Sequence, residues 1–254
     1  SYSEWIDAGF YPSGCHSSNM LPHYTRTFDT TELNYTWYQM PKPAALERMC
    51  AKVPEQFRIA VKLTRTMTHE VKKSEWTREA ALFRQGISPL VTSGRLLAVL
   101  IQLPPYFNRS IAHRQYLAAL LDELAGLTLA VEFRHASWAA DTVFSELTRR
   151  GITLVCVDEP DLPGLFPRLA RITNPDLFYL RFHGRNARGW GSGNMQQQFN
   201  YDYTDDELRG WADIIQSQIL SQARSSAIFF NNHVRAQAPK NALRMMELLT
   251  KGTG

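Results

Sequence analysis

Short apolar runs that end in charged or amide side chains alternate with amphipathic stretches along almost the whole chain. Several runs are apolar nearly throughout, as strands covered on both faces should be. Between them, apolar residues recur at helical spacing, for example over Ser110–Ala125 and Thr204–Gln222. Strands that alternate with helices predict a parallel sheet with helices outside it. The seven strand-like runs are Thr31–Tyr35, Phe57–Lys62, Leu96–Leu103, Thr128–Phe133, Thr153–Asp158, Leu177–His183 and Ser226–Asn231.

Two parallel architectures compete, the TIM-type (β/α) barrel and the doubly wound open sheet. No Gly-x-Gly-x-x-Gly follows the early runs, and the polar run ends are spread over the chain instead of gathering at one switch point. We therefore predict a single barrel domain over residues 1–254. Such a barrel has eight strands, and seven are visible. We expect the first strand to be missing, because Ser1–Trp5 resembles the loop that follows a strand.

Composition places the chain among ordinary globular proteins. It has 254 residues, of which 44% are hydrophobic and 20% charged. Its three cysteines, Cys15, Cys50 and Cys156, are scattered and lack zinc-ligand spacing, which argues against a disulfide scaffold or a structural zinc site. No apolar run is long enough for a membrane span. We expect a cytoplasmic protein without a membrane partner.

The charge balance allows anionic partners. The formal net charge is +4 and the pI about 9.0. Arginine outnumbers lysine by 21 to 7. The planar guanidinium suits two-pronged contacts with phosphate or carboxylate, although a GC-rich genome would give the same excess. A small anionic ligand and a nucleic acid are both compatible with this pattern.

Short segments spread nearly end to end resemble those of the YecE-like proteins, also called domain of unknown function 72. The most specific are Glu132–Trp138, which includes Glu-Phe-Arg-His-Ala-Ser-Trp, and Arg181–Asn186, which is Arg-Phe-His-Gly-Arg-Asn. Further matches are Ser3-Glu4-Trp5, Gly9-Phe10-Tyr11-Pro12, Thr31-Glu32-Leu33-Asn34, Ala60-Val61-Lys62, Thr68-His69, Gln102-Leu103-Pro104-Pro105, Phe230-Asn231-Asn232 and Asn241-Ala242. The resemblance implies a TIM-type barrel and no particular reaction.

The chain departs from that family in two places. The family's opening strand, which carries Gly-Thr-Ser-Gly-Trp, does not precede Ser3-Glu4-Trp5, and this agrees with the expected loss of the first strand. The acidic residue that usually follows the Asn231–Asn232 pair is replaced by His233.

Polar residues at the ends of the runs are the candidate site. Strand alternation puts Glu132 and Arg134 on the same face of their strand, and it puts Arg181 and His183 on the same face of theirs. If these faces point inward, the groups meet at the active end of the barrel. We predict catalytic roles for Glu132, His183, Lys62 and His135. Predicted to hold a substrate are Arg134, Arg181, Arg185, Glu32, Asn34, His69, Gln102, Trp138, Asn231 and Asn232.

Each assignment has a structural alternative. Glu132 beside arginines would be an ionised carboxylate and His183 a neutral base, yet buried Glu–Arg pairs also hold loops together. Trp138 could stack on a ligand, or simply cover the helix behind it. The arginine- and glycine-rich loop that contains Arg185 suits phosphate, or is a plain surface excursion.

A divalent metal is possible, and no cofactor is predicted. Histidines and carboxylates at strand ends could supply ligands, but no His-Glu-x-x-His motif occurs. The intervening arginines and Lys62 oppose further positive charge. The strand-end groups available to a metal are His69, Glu132, His135, Asp158, His183 and His233.

Three functions compete. The first is an enzyme, either a hydrolase or a lyase or isomerase, that uses Glu, His and Lys for acid–base chemistry on a phosphate- or carboxylate-bearing substrate. The second is a nucleic-acid-binding barrel similar in shape to abasic-site endonucleases, and the third is a non-catalytic binding protein. The sequence does not predict the oligomeric state.

Overall fold

In a computed structural model of the protein, residues 4–251 are described, and they form seven parallel strands interspersed with helices. The strands are β1 (Thr30–Leu33), β2 (Arg58–Lys62), β3 (Leu96–Gln102), β4 (Leu129–Glu132), β5 (Thr153–Asp158), β6 (Phe178–Phe182) and β7 (Ser226–Phe230). The helices are α1 (Glu4–Asp7), α2 (Ser17–Tyr24), α3 (Pro43–Cys50), α4 (Trp76–Thr92), α5 (Ile111–Glu123), α6 (Asp141–Arg149), α7 (Ala187–Trp190), α8 (Met195–Gln198), α9 (Asp205–Ile214) and α10 (Gln237–Lys251).

The strand order β1-β2-β3-β4-β5-β6-β7 follows the order along the chain. This is the order of a TIM-type barrel, whereas a doubly wound sheet reverses its order at a switch point. The predicted fold class and its seven visible strands are therefore confirmed. The expected additional strand stays a prediction, and Ser1–Ser3, on which part of that expectation rests, lie outside the described residues. Glu4–Asp7 form a short helix and not the predicted loop.

The chain divides into two compact units. One, here called the β1–β4 unit, is Ser18–Ala140, and the other, the β5–β7 unit, is Ser1–Ser17 with Asp141–Gly254. The single domain over residues 1–254 stays a prediction. No described helix combines the length and the apolar character that crossing a bilayer requires.

Polar side chains define several element ends. Ser110 accepts a hydrogen bond from the backbone N–H of His113 and so begins α5. At α9 the predicted capping box is present, with Thr204 and Glu207 each bonded to the other's backbone N–H. The strand β1 ends earlier than predicted, because the Thr36 hydroxyl lies 2.9 Å from the Leu33 carbonyl and starts a 3₁₀ turn.

The apolar core of the β5–β7 unit lies between its strands and helices. Cys156, Leu180 and Phe182 come from β5 and β6 and pack with Leu208 and Trp211 of α9. Beyond Ile214 the helix continues as one π-helical turn over Ile215–Ile219, so the predicted Thr204–Gln222 helix is correct in place but not regular throughout.

Candidate functional site

The strand register places polar side chains on one face of the β1–β4 unit, near the carboxyl ends of the strands. Partners across parallel strands share a face, as do residues two apart along one strand. Ala60 and Ala130 lie on the same face, and their small side chains leave room beside the polar groups. The polar members of this face are Glu32, Lys62, Gln102 and Glu132.

Glu132 and Arg134 form a buried ion pair. Arg134 Nε lies 2.5 Å from Glu132 Oε1, and the two side chains are 8% and 0% exposed. Buried charges persist only where they are paired, so the pair fixes both groups at the end of β4. Two predicted residues thus meet as the sequence suggested. A structural role of Glu132 and a catalytic one would both require this ion pair.

His69 lies in a positively charged, partly buried environment. Burial first, and then the charges of Lys62 and Arg134, together lower its pKa from 6.5 to about 4. The indole N–H of Trp37 donates to His69 Nδ1 over 3.3 Å. The Thr68 hydroxyl lies 2.9 Å from the same nitrogen. With a pKa of about 4, His69 presents an uncharged imidazole at neutral pH.

Trp37 links Lys62 to His69, and sequence reasoning missed it. The Lys62 ammonium lies 5.4 Å from the centre of the Trp37 ring, a cation–π distance. The ring of His69 lies edge-on to Trp37 at 5.0 Å. The available signal was its position three residues after Asn34, in the turn that follows β1.

His135 and Trp138 have structural contacts at the end of β4. The Nδ1 of His135 accepts the backbone N–H of Ser137 over 3.1 Å, so the ring caps the following 3₁₀ turn. Trp138 is 3% exposed and donates its indole N–H to the Phe107 carbonyl at 2.7 Å. Its ring stacks on Phe133 at 4.6 Å and on Phe107 at 5.7 Å. The predicted ligand-stacking role of Trp138 has no support from this packing.

Gln102 and Asn34 are at the same end of their strands. Gln102 donates its amide to the carbonyl of its neighbour Leu103 at 3.1 Å. Asn34 begins the 3₁₀ turn with its backbone carbonyl, which accepts the N–H of Trp37, and its side chain does not cap the turn.

The polar residues of the β5–β7 unit are divided between two faces. The register pairs Val157 with Arg181, and Arg181 with Phe229, so these side chains share a face. Asp158 alternates onto the other face, with Phe182 and Phe230. Because Phe182 belongs to the core packed against α9, Asp158 faces the helices.

Asp158 is the acceptor for three buried donors. Arg185 contacts it with two nitrogens, Nε at 2.9 Å and Nη2 at 2.7 Å. The Tyr203 hydroxyl donates to Oδ1 at 2.8 Å, and the Trp211 indole N–H donates to Oδ2 at 2.7 Å. Asp158 is fully buried. Such a saturated carboxylate holds β5, α9 and the loop after β6 together.

Arg185 is bound within this network. Its Nη1 lies 3.0 Å from Glu207 Oε1 in addition to its contacts with Asp158. Burial alone would lower the pKa of Arg185, but the hydrogen bonds and charges of the two carboxylates raise it above its usual value. Two carboxylates surround its single positive charge, which argues against the predicted role in holding a substrate anion.

A glycine lets this loop pass close to its neighbour. Gly184 has a φ of +87°, and a Cβ atom there would lie 2.7 Å from Tyr201 Cβ. Its backbone N–H donates to the Tyr203 hydroxyl at 2.8 Å. The loop that carries Arg185 is therefore fixed by backbone contacts as well as by charge.

His183 and Arg181 lie on the face opposite Asp158. His183 is fully buried and Arg181 is 1% exposed. Asn231 Nδ2 lies 3.2 Å from His183 Nδ1, so two predicted residues from β6 and β7 meet. The rings of Trp190 and Phe199 lie 6.3 and 6.1 Å from the His183 ring. Trp190 is a loop aromatic that the sequence offered for nucleic-acid stacking, whereas Phe199 was not predicted.

The two residues that follow Asn231 make different contacts. Asn232 is fully buried and donates to the Tyr201 carbonyl at 2.8 Å and to Asn241 Oδ1 at 2.7 Å, which ties the end of β7 to α10. His233 Nδ1 lies 3.1 Å from the Asn231 carbonyl, so this nitrogen carries a proton. Asn232 thus has a structural function.

Glu159 is the buried acid that sequence reasoning missed. It directly follows Asp158, the last residue of β5, and is 1% exposed. The available signal was its position next to Asp158 at the end of a largely apolar run.

The predicted meeting of Glu132 with Arg181 and His183 stays a prediction. Glu132 belongs to the β1–β4 unit, whereas Arg181 and His183 belong to the β5–β7 unit. Within residues 4–251, no three side chains of His, Cys, Asp or Glu form a cluster suited to a metal ion.

Comparisons with known proteins identify the family. The family model described as "Protein of unknown function DUF72" matches residues 1–254. The UPF0759 protein YunF of Bacillus subtilis is 28% identical over an alignment that spans 94% of this chain and 89% of its own. The UPF0759 protein YecE of Escherichia coli K12 is also 28% identical, over 62% of this chain and 56% of its own.

Solved structures of the same family have the same fold. A DUF72 family protein from Thermotoga maritima is 33% identical, with a TM-score of 0.89 over 98% of this chain and 96% of its own. One from Enterococcus faecalis is 25% identical, with a TM-score of 0.88 over 98% of this chain and 93% of its own. The chain belongs to the DUF72 family, and the resemblance inferred from its motifs is confirmed.

Proposed function

We propose that this DUF72 protein is an enzyme that binds a small phosphate- or carboxylate-bearing substrate where β2 and β4 end. The observation that carries the proposal is the electrostatic environment of His69. Besides burial, the charges of Lys62 and Arg134 lower its pKa, to about 4. Although Glu132 already pairs with Arg134, the charges of Lys62 and Arg134 still disfavour a third positive charge at His69, and this favours an anion.

The neighbouring groups supply what such a ligand needs. Lys62 offers a point charge, and Arg134 offers a guanidinium whose orientation is set by Glu132. The neutral His69 offers an imidazole that can form a hydrogen bond with the ligand. We assign the acid–base role to Glu132, the carboxylate at the end of β4.

The sequence left two other functions open. Nucleic-acid binding drew support from the basic pI, the arginine excess, Trp138 and Trp190. Of the two rings, Trp138 is buried against Phe133 and Phe107, which removes one stacking candidate and favours the proposed enzyme. A non-catalytic binding protein would use the same anion site without turnover.

The test measures the pKa of His69 by NMR with and without inorganic phosphate, and in parallel with acetate. A bound anion offsets the charges of Lys62 and Arg134, so the pKa of His69 should rise. Lys62→Met should weaken phosphate binding about tenfold, which is about 1.4 kcal/mol.

Lys72→Met is the matched control, because Lys72 is in the same unit but is 72% exposed and pairs with Glu75. It should leave both the affinity and the pKa of His69 unchanged. If neither phosphate nor acetate moves the His69 pKa, the proposed site does not bind anions. Equal losses in both lysine variants would mean only a general effect of net charge.

A further inference from the structure

Two of the most exposed large side chains of the β1–β4 unit are aromatic, and both contact the surroundings of His69. Tyr106 is 62% exposed and Tyr38 is 58% exposed. Exposed single apolar residues are common, but two aromatic rings beside a charged, partly buried cluster are informative. They come from different loops, one after β1 and one after β3.

Tyr38 is joined to the proposed anion site through Trp37. The two rings lie edge to face, 4.8 Å apart at 89°. Trp37 in turn contacts His69 at 5.0 Å and lies 5.4 Å from the Lys62 ammonium. An unbroken chain of aromatic contacts thus leads from the cation to an exposed ring.

Tyr106 contacts the backbone of His69, the histidine of the proposed anion site. Its hydroxyl donates to the His69 carbonyl at 2.7 Å. Burial, and the nearby Glu70, raise the pKa of Tyr106, so the phenol is uncharged at neutral pH. The hydrogen bond fixes one end of the side chain while the ring stays largely exposed.

We propose that the ligand of this site carries a planar aromatic ring next to its anionic group. The anion lies at Lys62, Arg134 and His69, and the ring lies against Tyr38 and Tyr106. Aromatic side chains that stay largely exposed favour flat, polarisable partners, and such stacking tolerates many ring types. This inference rests on the proposed function and names the substrate class of the same site.

The experiment compares three phosphate monoesters by calorimetry: methyl, cyclohexyl and phenyl phosphate. Phenyl phosphate should bind about tenfold more tightly than methyl phosphate, and cyclohexyl phosphate should gain clearly less, because it has similar apolar area without a flat ring. Benzoate and acetate form the corresponding pair for a carboxylate ligand and should show the same ratio.

Variants test whether the two tyrosines cause this preference. Tyr38→Leu and Tyr106→Leu should each reduce the ratio of phenyl phosphate to methyl phosphate affinity several-fold. Tyr38→Phe should retain the advantage, since it keeps the ring. Tyr106→Phe keeps its ring and removes only the hydrogen bond to His69, so its loss should be smaller than that of Tyr106→Leu.

The outcomes separate the inference from the proposed function. If inorganic phosphate binds but methyl and phenyl phosphate bind equally, the anion site stands and the aromatic ligand is wrong. If cyclohexyl phosphate binds as tightly as phenyl phosphate, the site selects apolar area and not a ring, which also overturns the inference. If no phosphate or carboxylate binds, the proposed function fails and the inference fails with it.

Discussion

The clusters around Asp158 and around His69 both lie at the carboxyl ends of strands, but they differ in charge balance. Asp158 accepts hydrogen bonds from Arg185, Tyr203 and Trp211, so its charge and lone pairs are used within the protein. His69 lies near Lys62 and Arg134, whose charges disfavour its protonation. The first cluster stabilises the fold, and the second is the one at which we propose that an anion binds.

The difference shows that the position of a polar residue at a strand end does not by itself indicate a ligand site. The face of the strand decides which groups surround the side chain. Asp158 is on the face that packs against α9, where buried donors must find acceptors. Lys62 and Glu132 are on the face that carries the small residues Ala60 and Ala130.

The largest effect is expected from breaking the saturated cluster. Asp158→Asn removes the charge that Arg185 faces and leaves at least one buried donor without an acceptor. We expect the free energy of unfolding to fall by about 3 to 5 kcal/mol, measured by urea denaturation. The control is Asp205→Asn, a surface carboxylate paired with Arg244, and it should change stability little. Comparable losses in the two variants would mean that Asp158 is no more important than a surface ion pair.

A smaller loss is expected when only one donor of that cluster is removed. Tyr203→Phe deletes the hydroxyl that donates to Asp158 and accepts the N–H of Gly184. The buried N–H then lacks its partner, and we expect a loss of about 1 to 3 kcal/mol in the same assay.

Tyr201→Phe is the matched control for that change. The Tyr201 hydroxyl donates to Glu207 in a less buried setting, so the loss should be smaller. A Tyr203 variant as stable as the Tyr201 variant would contradict the idea that Asp158 is a buried, fully engaged acceptor.

The smallest expected effect concerns the other cluster and depends on pH. Unfolded, His69 binds a proton near pH 6.5; folded, it does so only near pH 4. Between these values the unfolded state binds more protons, so stability falls as the pH drops from about 6.5 to about 4. Because His69 is only partly buried, we expect a loss of about 1 kcal/mol, less than the full linkage value.

His69→Gln tests that assignment, since the amide does not titrate in this range. Urea denaturation at several pH values should show a flatter dependence for the variant than for the unmodified protein. An unchanged slope would mean that other groups cause the loss of stability, and that the environment of His69 is less positive than proposed.

The fold was largely predictable from local patterns. All seven strands lie within two residues of the runs recognised in the sequence. For β3 to β6 the reason is that a buried parallel strand is almost entirely apolar, whereas β1, Thr-Thr-Glu-Leu, is mostly polar. The capping box at Thr204 and Glu207 was also predictable, since it depends only on residues three apart. The early end of β1 was not, because it depends on the Thr36 hydroxyl reaching the Leu33 and Lys62 carbonyls.

The candidate site was predictable in its residues but only partly in their partners. Alternation along one strand correctly joined Glu132 to Arg134. The sequence assigned Arg185 to a ligand. It could not show the pairing with Asp158, because that contact spans 27 positions and no local pattern contains it. In the same way it could not show that Trp138 is bonded to Phe107, which is 31 positions away.

By itself the sequence determined the strand–helix alternation, the family and the set of strand-end residues, because periodicity and motifs are properties of neighbouring positions. Only the tertiary structure decided the partners of those residues. Asp158 accepts hydrogen bonds from Arg185, Tyr203 and Trp211. Glu132 pairs with Arg134, and Lys62 lies over Trp37. The physical reason is that burial and charge pairing depend on contacts between distant segments, and these contacts set both the pKa of His69 and the saturation of Asp158.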